Sequence, residues 1–384
     1  MAFNGEIFEI LSWLPAKAIF RCMSVSKSCN ESTSEQYFAK IQARNMLQKN
    51  DNAFFIQQNS SQKYKGKLEL HVLAGEENSC GVPCESLNFM KNLGHLLGSS
   101  NGLICCRNTN EFHVGGELFI CNPAMRKWLL IPNPGRFEGP NQDLNAVLQC
   151  NVGQSDRFPC SYLLMVMAHT EFWSSDLMCK FYIPNEGIWQ ELGLVNLGAR
   201  NIKFYIPRMR STSCPIGFLL YAREVIFCWP YIVAFDPKKG TSRFMKIPKA
   251  ARKCDFGHPN FKMGLFKWSK GNEESICLVT LSKRVFTTWA MVDYDAGLWI
   301  KINKVRALAM GMVEPDPEIA GFTVLNGDSL LIATEKRVYR YCLTGDWRGK
   351  RAEKVRENGC GANVFLYPYS NTLRTCGDGM THFP

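Results

Sequence analysis

The sequence predicts a small all-α segment over residues 1–48, then an all-β array of repeated units over residues 52–370, with an irregular tail at 371–384. Three observations carry this. Apolar residues recur at helical spacing near the N-terminus and lose that spacing near Asp51. From there on, short β-branched and aromatic runs alternate with Gly, Pro, Asn and Asp turns. Those runs then recur as one unit: a strand, a turn, and an aromatic residue opening a second strand.

The first segment predicts three helices. Ile7, Ile10, Leu11 and Leu14 fall at i, i+3, i+4 and i+7, one face of a helix. Pro15 interrupts and suits the first turn of a second helix, where its missing N–H costs nothing. That helix carries Ile19, Phe20, Met23 and Val25 as its apolar residues. Thr33-x-x-Gln36 has the form of a capping box and would open a third helix holding Tyr37, Phe38 and Ile41. So short a segment makes a poor core alone, so it either caps the rest of the chain or offers its apolar face to a partner.

The repeat is legible in "ELFICNPAMRKWLLIP", "KFYIPNEGIWQEL", "YIVAFDPKKGTSRFMKIP", "AMVDYDAGLWIKI" and "RVYRYCLTGDWRGKRAEKV". Their aromatic anchors, Trp128, Trp189, Phe244, Trp299 and Trp347, follow one another at roughly 50 to 60 residues, a blade-length period of the kind kelch repeats show. Upstream strands precede four of them: "NGLICC", "YLLMVMA", "IGFLLYA" and "ESICLVTL". The anchors read as wedges between neighbouring sheets rather than ligand platforms. "AFFIQQ" and "KLELHVLA" at the start, with "NVFLYPY" at the end, would build a sixth blade from both chain ends and remove the open edges. The expectation is a propeller of six kelch-like blades.

Two stretches resemble a known family. Ile10, Leu11, Leu14, Pro15, Lys17, Arg21, Val25, Lys27 and Phe38 stand where an F-box places its recurring residues; Phe3-Asn4 and Cys29 depart from that pattern. Asn101, Gly102, Leu103, Cys105, Asn122, Pro123, Trp128 and Pro132 resemble the opening of the kelch-like, F-box-associated region of plant F-box proteins. The resemblance implies a substrate-recognition adaptor of a Skp–cullin–F-box ubiquitin ligase. Its F-box would dock on the Skp adaptor, and through it the cullin–RING ligase, by Ile7, Ile10, Leu11, Leu14, Pro15, Ile19 and Val25. Its propeller would hold a target protein, the chain itself performing no bond chemistry. Two other classes stand beside this one: a propeller scaffold without a ligase link, and a propeller-based enzyme such as a radical-copper oxidase.

Motifs for chemistry are sparse. Gly98-Ser99-Ser100-Asn101-Gly102 fits the G-x-S-x-G nucleophile elbow, but "LICCRN" follows where a helix is required, so Asn101-Gly102 is expected to be a turn and Ser100 structural. A His would have to follow in the chain, and the late candidates are His258 and His382. Cys80-x3-Cys84 lacks a second ligand pair, with His95 a lone third residue. Asp293, Asp295 and Asp316 read as turn carboxylates, and the phosphate-loop pattern is missing. No metal, cofactor or nucleic acid is expected.

The 17 cysteines and an N-terminus unlike a signal peptide point to a reducing compartment, cytoplasm or nucleus, and no run suits a membrane span. The net charge of +11 is spread along the chain and favours acidic partners mildly. Target specificity is expected in three long connectors, "IPNPGRFEGPNQDLN", "ARNIKFYIPRMRSTSCP" and "IPKAARKCDFGHPN", with Arg208, Arg210, Arg252 and Lys253 as a basic rim. The two modules are expected to fold and work separately, split near Asp51.

Overall fold

The structure is a computed structural model. It describes residues 3–47, 51–59, 67–73, 82, 87–90, 94–108, 116–135, 145–150, 162–169, 176–196, 210–214, 217–222, 231–236, 241–252, 262–270, 273–344 and 350–382.

Four helices, rather than three, open the chain: α1 (Phe3–Ser12), α2 (Ala16–Val25), α3 (Lys27–Ser34) and α4 (Gln36–Leu47). Pro15 precedes α2 in extended conformation, and its carbonyl accepts the Ala18 and Ile19 amides. The additional helix is α3, "KSCNESTS", which has no apolar stripe to announce it. It is held by its ends: Ser26 Oγ accepts the Cys29 amide at 3.4 Å, and Thr33 Oγ1 donates to the Cys29 carbonyl at 2.7 Å. Thr33 therefore closes α3 and does not cap α4, correcting the capping-box reading.

The remainder is all-β. Strands β1 (Ala53–Gln58) and β2 (Leu68–Val72) come first. Blade one is β3 (His95–Ser100), β4 (Leu103–Asn108), β5 (Glu117–Asn122) and β6 (Lys127–Ile131). Blade two is β7 (Asn145–Cys150), β8 (Tyr162–His169), β9 (Asp176–Ile183) and β10 (Ile188–Asn196). Blade three is β11 (Arg210–Cys214), β12 (Gly217–Ala222), β13 (Tyr231–Asp236) and β14 (Thr241–Met245), followed by the short helix α5 (Lys249–Arg252). Blade four is β15 (Lys262–Lys270), β16 (Glu273–Ser282), β17 (Val285–Asp293) and β18 (Leu298–Arg306). Blade five is β19 (Ile319–Leu325), β20 (Ser329–Thr334), β21 (Arg337–Cys342) and β22 (Glu353–Glu357). Last come β23 (Val364–Tyr369) and β24 (Thr381–His382).

Each blade is an antiparallel meander in chain order, so among the described residues five blades of four consecutive strands replace the expected six, with β24 added at the edge of blade one. The remaining sheet has three strands in the order β2-β1-β23 and joins both ends of the chain. Its register runs from Ala53 opposite Tyr369 to Gln58 opposite Val364. The innermost strands β3, β7, β11, β15, β19 and β23 touch in succession and close the ring. At the last joint Gly321 of β19 lies so near β23 that a Cβ there would stand 2.3 Å from the Val364 carbonyl oxygen.

The core lies between sheets, not within one. Leu103, Ile120 and Leu129 of blade one pack with Leu148, Tyr162 and Leu164 of blade two. Phe286 and Ala290 of blade four pack with Phe322 and Tyr339 of blade five. Burying each such side chain contributes about 1.5–3 kcal/mol, so a blade is stable only with its neighbours.

The aromatic anchors sit on the fourth strand. Trp189 Nε1 donates to the Pro132 carbonyl at 2.6 Å, and Trp299 Nε1 donates to the Lys246 carbonyl at 2.9 Å. These two reach the chain just after the preceding blade's fourth strand and tie adjacent blades at the perimeter, whereas Trp128 Nε1 donates to the His382 carbonyl at 3.2 Å. Phe244 is about half exposed. Trp347 lies outside the described residues.

Candidate functional site

The helices pack around Leu11, Ala16, Ile19, Phe38 and Ala39, and the same cluster takes in Ala124 of blade one and Leu373 of the C-terminal segment. The helices therefore meet the ring through an apolar contact, while among the described residues the clusters between sheets hold no residue of α1–α4. Of the seven positions expected to dock, Leu11 and Ile19 are buried in this core. Ile7, Leu14 and Pro15 are half-buried. Ile10 and Val25 are 65% and 85% exposed, and Phe20 and Tyr37 are exposed as well. Cys29, one of the departures from the family pattern, is half-buried against the same core.

The resemblance motifs of blade one form the seat. Asn101 and Gly102 connect β3 to β4 with φ of 43° and 84°, the left-handed pair of a tight hairpin turn. Asn101 Nδ2 donates to the Ala43 carbonyl of α4 at 2.9 Å, and the Asn101 carbonyl accepts from Thr372 Oγ1 at 2.9 Å. A Cβ on Gly102 would stand 2.1 Å from that same Thr372 oxygen, so only glycine fits.

Asn122 is fully buried at the end of β5. Its Nδ2 donates to the Thr372 and Arg374 carbonyls at 2.9 and 2.8 Å, and its Oδ1 accepts the Ala124 and Met125 amides. That uses the full capacity of an amide side chain.

The tail expected as irregular has no strand before Thr381, yet Asn371, Thr372, Leu373, Arg374 and Cys376 are buried. It crosses between the helices and blade one. The Ala16 amide donates to the Asn371 carbonyl, and Tyr162 OH donates to the Cys376 carbonyl at 2.7 Å. β24 then pairs with β6, Thr381 opposite Trp128.

Where the tail begins, Ser370 Oγ donates to the Asp51 carboxylate, and Asn326 binds both the amide and the carbonyl of Asp51. Asp51 is half-buried as a residue, with its carboxyl withdrawn from water. That desolvation raises its pKa despite the Ser370 hydrogen bond and the charge of Lys267.

Ser100 ends β3 ahead of the hairpin, and its Oγ accepts the Cys150 amide at 3.0 Å. The strand–turn–strand geometry is not that of a nucleophile elbow. Asp293 Oδ1 accepts the Asp295 and Ala296 amides, a turn role, while Asp316 pairs with Arg284. Cys80, Cys84 and His258 lie outside the described residues; His95 is half-buried in β3 and His382 is exposed in β24. Among the described residues no group of three His, Cys, Asp or Glu side chains is placed to hold a metal, and no helix is long and apolar enough to cross a membrane. Cys105 and Cys277 lie deep between blades, and burial raises both thiol pKa values well above the ordinary thiol range.

The meander assigns the two faces of the ring. The turns after first strands and after third strands share one face, and Asn101-Gly102 and Ala124-Met125 both meet the helices there. Second strands and fourth strands end at the other face. Arg210 opens β11 and Arg252 ends α5, which follows β14, so both positions stand at element ends on that other face. Arg208 and Lys253 lie outside the described residues.

Comparison with known proteins follows this division. Residues 7–40 match the F-box domain. An F-box protein of Arabidopsis thaliana is 31% identical over 352 residues, covering 87% of this chain and 86% of its own. The chain belongs to the plant F-box proteins. A second F-box protein of the same plant is 21% identical over 353 residues, covering 91% of each chain. Among solved structures, a periplasmic gluconolactonase of Pseudomonas aeruginosa overlaps with a TM-score of 0.40 at 10% identity, over 83% of this chain and 99% of that one.

The missed parts of the seat share one cause. Gln42, Thr372 and Leu373 belong to no repeat and no apolar period, so their role exists only in the folded chain. Gln42 leaves one sequence signal, a polar residue between apolar Ile41 and Ala43 on α4.

Proposed function

We propose that this F-box protein is the substrate-recognition subunit of a Skp–cullin–F-box ubiquitin ligase and performs no bond chemistry itself. F-box proteins as a class are non-catalytic adaptors, and this reading places the chain in the cytoplasm or nucleus. The F-box recruits the Skp adaptor, and the propeller presents a target, so catalysis gains from proximity alone.

One observation carries the reading: Ala124 and Leu373 complete the core of the helices, yet Ile10 and Val25 remain 65% and 85% exposed. Exposed aliphatic side chains on a helical module of this family support a docking role. The target is assigned to the ring face away from the F-box, because the F-box occupies the near one while β11 opens, and α5 follows β14, on the far one.

The test is a pull-down of purified Skp adaptor with Ile10→Asp/Val25→Asp. Loss of capture with unchanged melting supports docking; capture equal to the parent overturns it and favours a scaffold without a ligase link. Arg208→Glu/Arg210→Glu should reduce recovery of an acidic target in affinity purification with mass spectrometry while Skp capture persists.

A further inference from the structure

Three features lie outside the proposed function: the half-exposed edge strand β18, the Glu314–Tyr339–Arg337 cluster, and the C-terminal segment. Glu314 joins a connector to the β20–β21 hairpin, through Tyr339, Thr334 and Arg337, and its role is filled by that contact. β18 exposes Leu298 and Ile300, but nothing in the structure shows what would cover them. The C-terminal segment carries an inference.

We propose that residues 370–376 are a lock that fixes the F-box on blade one, a role separate from closing the ring. Closure is complete at Tyr369, where β23 ends. The chain then continues between the two modules and bonds to both. Toward the F-box, the Leu373 amide donates to Gln42 Oε1 at 2.9 Å and the Asn371 carbonyl accepts from Ala16. Toward the propeller, Thr372 and Arg374 are held by Asn122, and Cys376 by Tyr162.

The Leu373 side chain completes the apolar cluster of Leu11, Ile19 and Phe38. Direct contact between helices and blade is narrower: Asn101 reaches Ala43, and Ala124 and Met125 meet the helical core. The lock thus sets the angle at which the F-box leaves the ring. Its consequence for target placement rests on the proposed ligase role; the lock itself does not.

Hydrogen–deuterium exchange on the purified full-length chain tests it without any partner. Two variants are compared with the parent: a chain ending at Ser370, which keeps β23, and full-length Gln42→Ala/Leu373→Ala, which keeps the Asn122 and Tyr162 bonds. The expected result is exchange at least about tenfold faster in α4 amides, with β19–β21 amides within about twofold of the parent. If the shortened chain is insoluble, the double variant decides. Unchanged α4 exchange in the double variant, or equal acceleration of α4 and β19–β21, overturns the proposal. Since no Skp adaptor is present, this result is independent of whether the chain recruits a ligase.

Discussion

Gln42 and Leu373 are 331 positions apart in the chain, and the Gln42 side chain joins them: Oε1 accepts the Leu373 amide at 2.9 Å while Nε2 donates to the Leu14 carbonyl at 2.8 Å. One buried amide thereby ties α4 to the α1–α2 turn and to the C-terminus.

Gln42→Ala strands two buried backbone groups. The expected loss is about 1–3 kcal/mol per group left unpaired, read as a lower midpoint in urea unfolding. Asn101→Ala removes the neighbouring bond to Ala43, and the two variants together should depart from additivity by about 0.5 kcal/mol or more, since both act on one helix. Strict additivity would mean that the two contacts act independently.

The docking face and the F-box core are separable by substitution. Leu11→Ala and Ile19→Ala should each cost about 2–5 kcal/mol, because both side chains are buried. Ile10→Ala and Val25→Ala should stay within about 0.5 kcal/mol of the parent. Thermal melts of the four variants check this ordering.

Asp51 makes stability depend on pH. Burial raises its carboxyl above the ordinary value of 3.8, so between 3.8 and the raised value the folded chain binds more protons than the unfolded one. Its contribution is most favourable below 3.8 and declines as pH rises through that window. Asp51→Asn keeps an oxygen for the Ser370 hydroxyl and removes the buried charge. The variant should melt higher than the parent at pH 7, and the difference should shrink toward pH 4. A lower melt at pH 7 would show that Lys267 and Ser370 outweigh the cost of burial.

Ring closure depends on β23. A chain ending at Gly361 loses that strand, leaving β1 with an unpaired edge and β19 without its neighbour. Such a chain should be insoluble or rapidly cleaved by trypsin under conditions that leave the parent intact. A soluble product with a single sharp unfolding transition would show that the ring tolerates an open seam.

Much of the architecture was legible in residue order. The change of period near Asp51 divides helices from strands, because a helix buries every third or fourth residue and a strand every second. The recurring anchors locate β5–β6, β9–β10, β13–β14 and β17–β18, because each hairpin needs turn residues followed by a large wedge. "AFFIQQ" and "NVFLYPY" announce the seam, since two apolar strands at opposite ends of a repeat array each need a partner. α3 leaves no sequence period because it is held by the Ser26 cap and the Thr33 hydroxyl rather than by an apolar stripe, and the first strands of the blades carry no anchor.

The site was decided by tertiary structure. Sequence period alone cannot tell which apolar residues of a short helix face its own core: Leu11 and Ile19 are taken inward and Ile10 and Val25 left outside only because α4, blade one and Leu373 arrive on one side. Asn101-Gly102 and Asn122-Pro123 were readable as turns, but a turn motif says nothing about what will sit on it. The sequence by itself determined an F-box, a ring of strands and the means of its closure, because those depend on local period and turn chemistry. That the core of the helices is completed by blade one and by the last residues of the chain depends on groups more than 200 positions apart meeting, and only the closed ring brings them together.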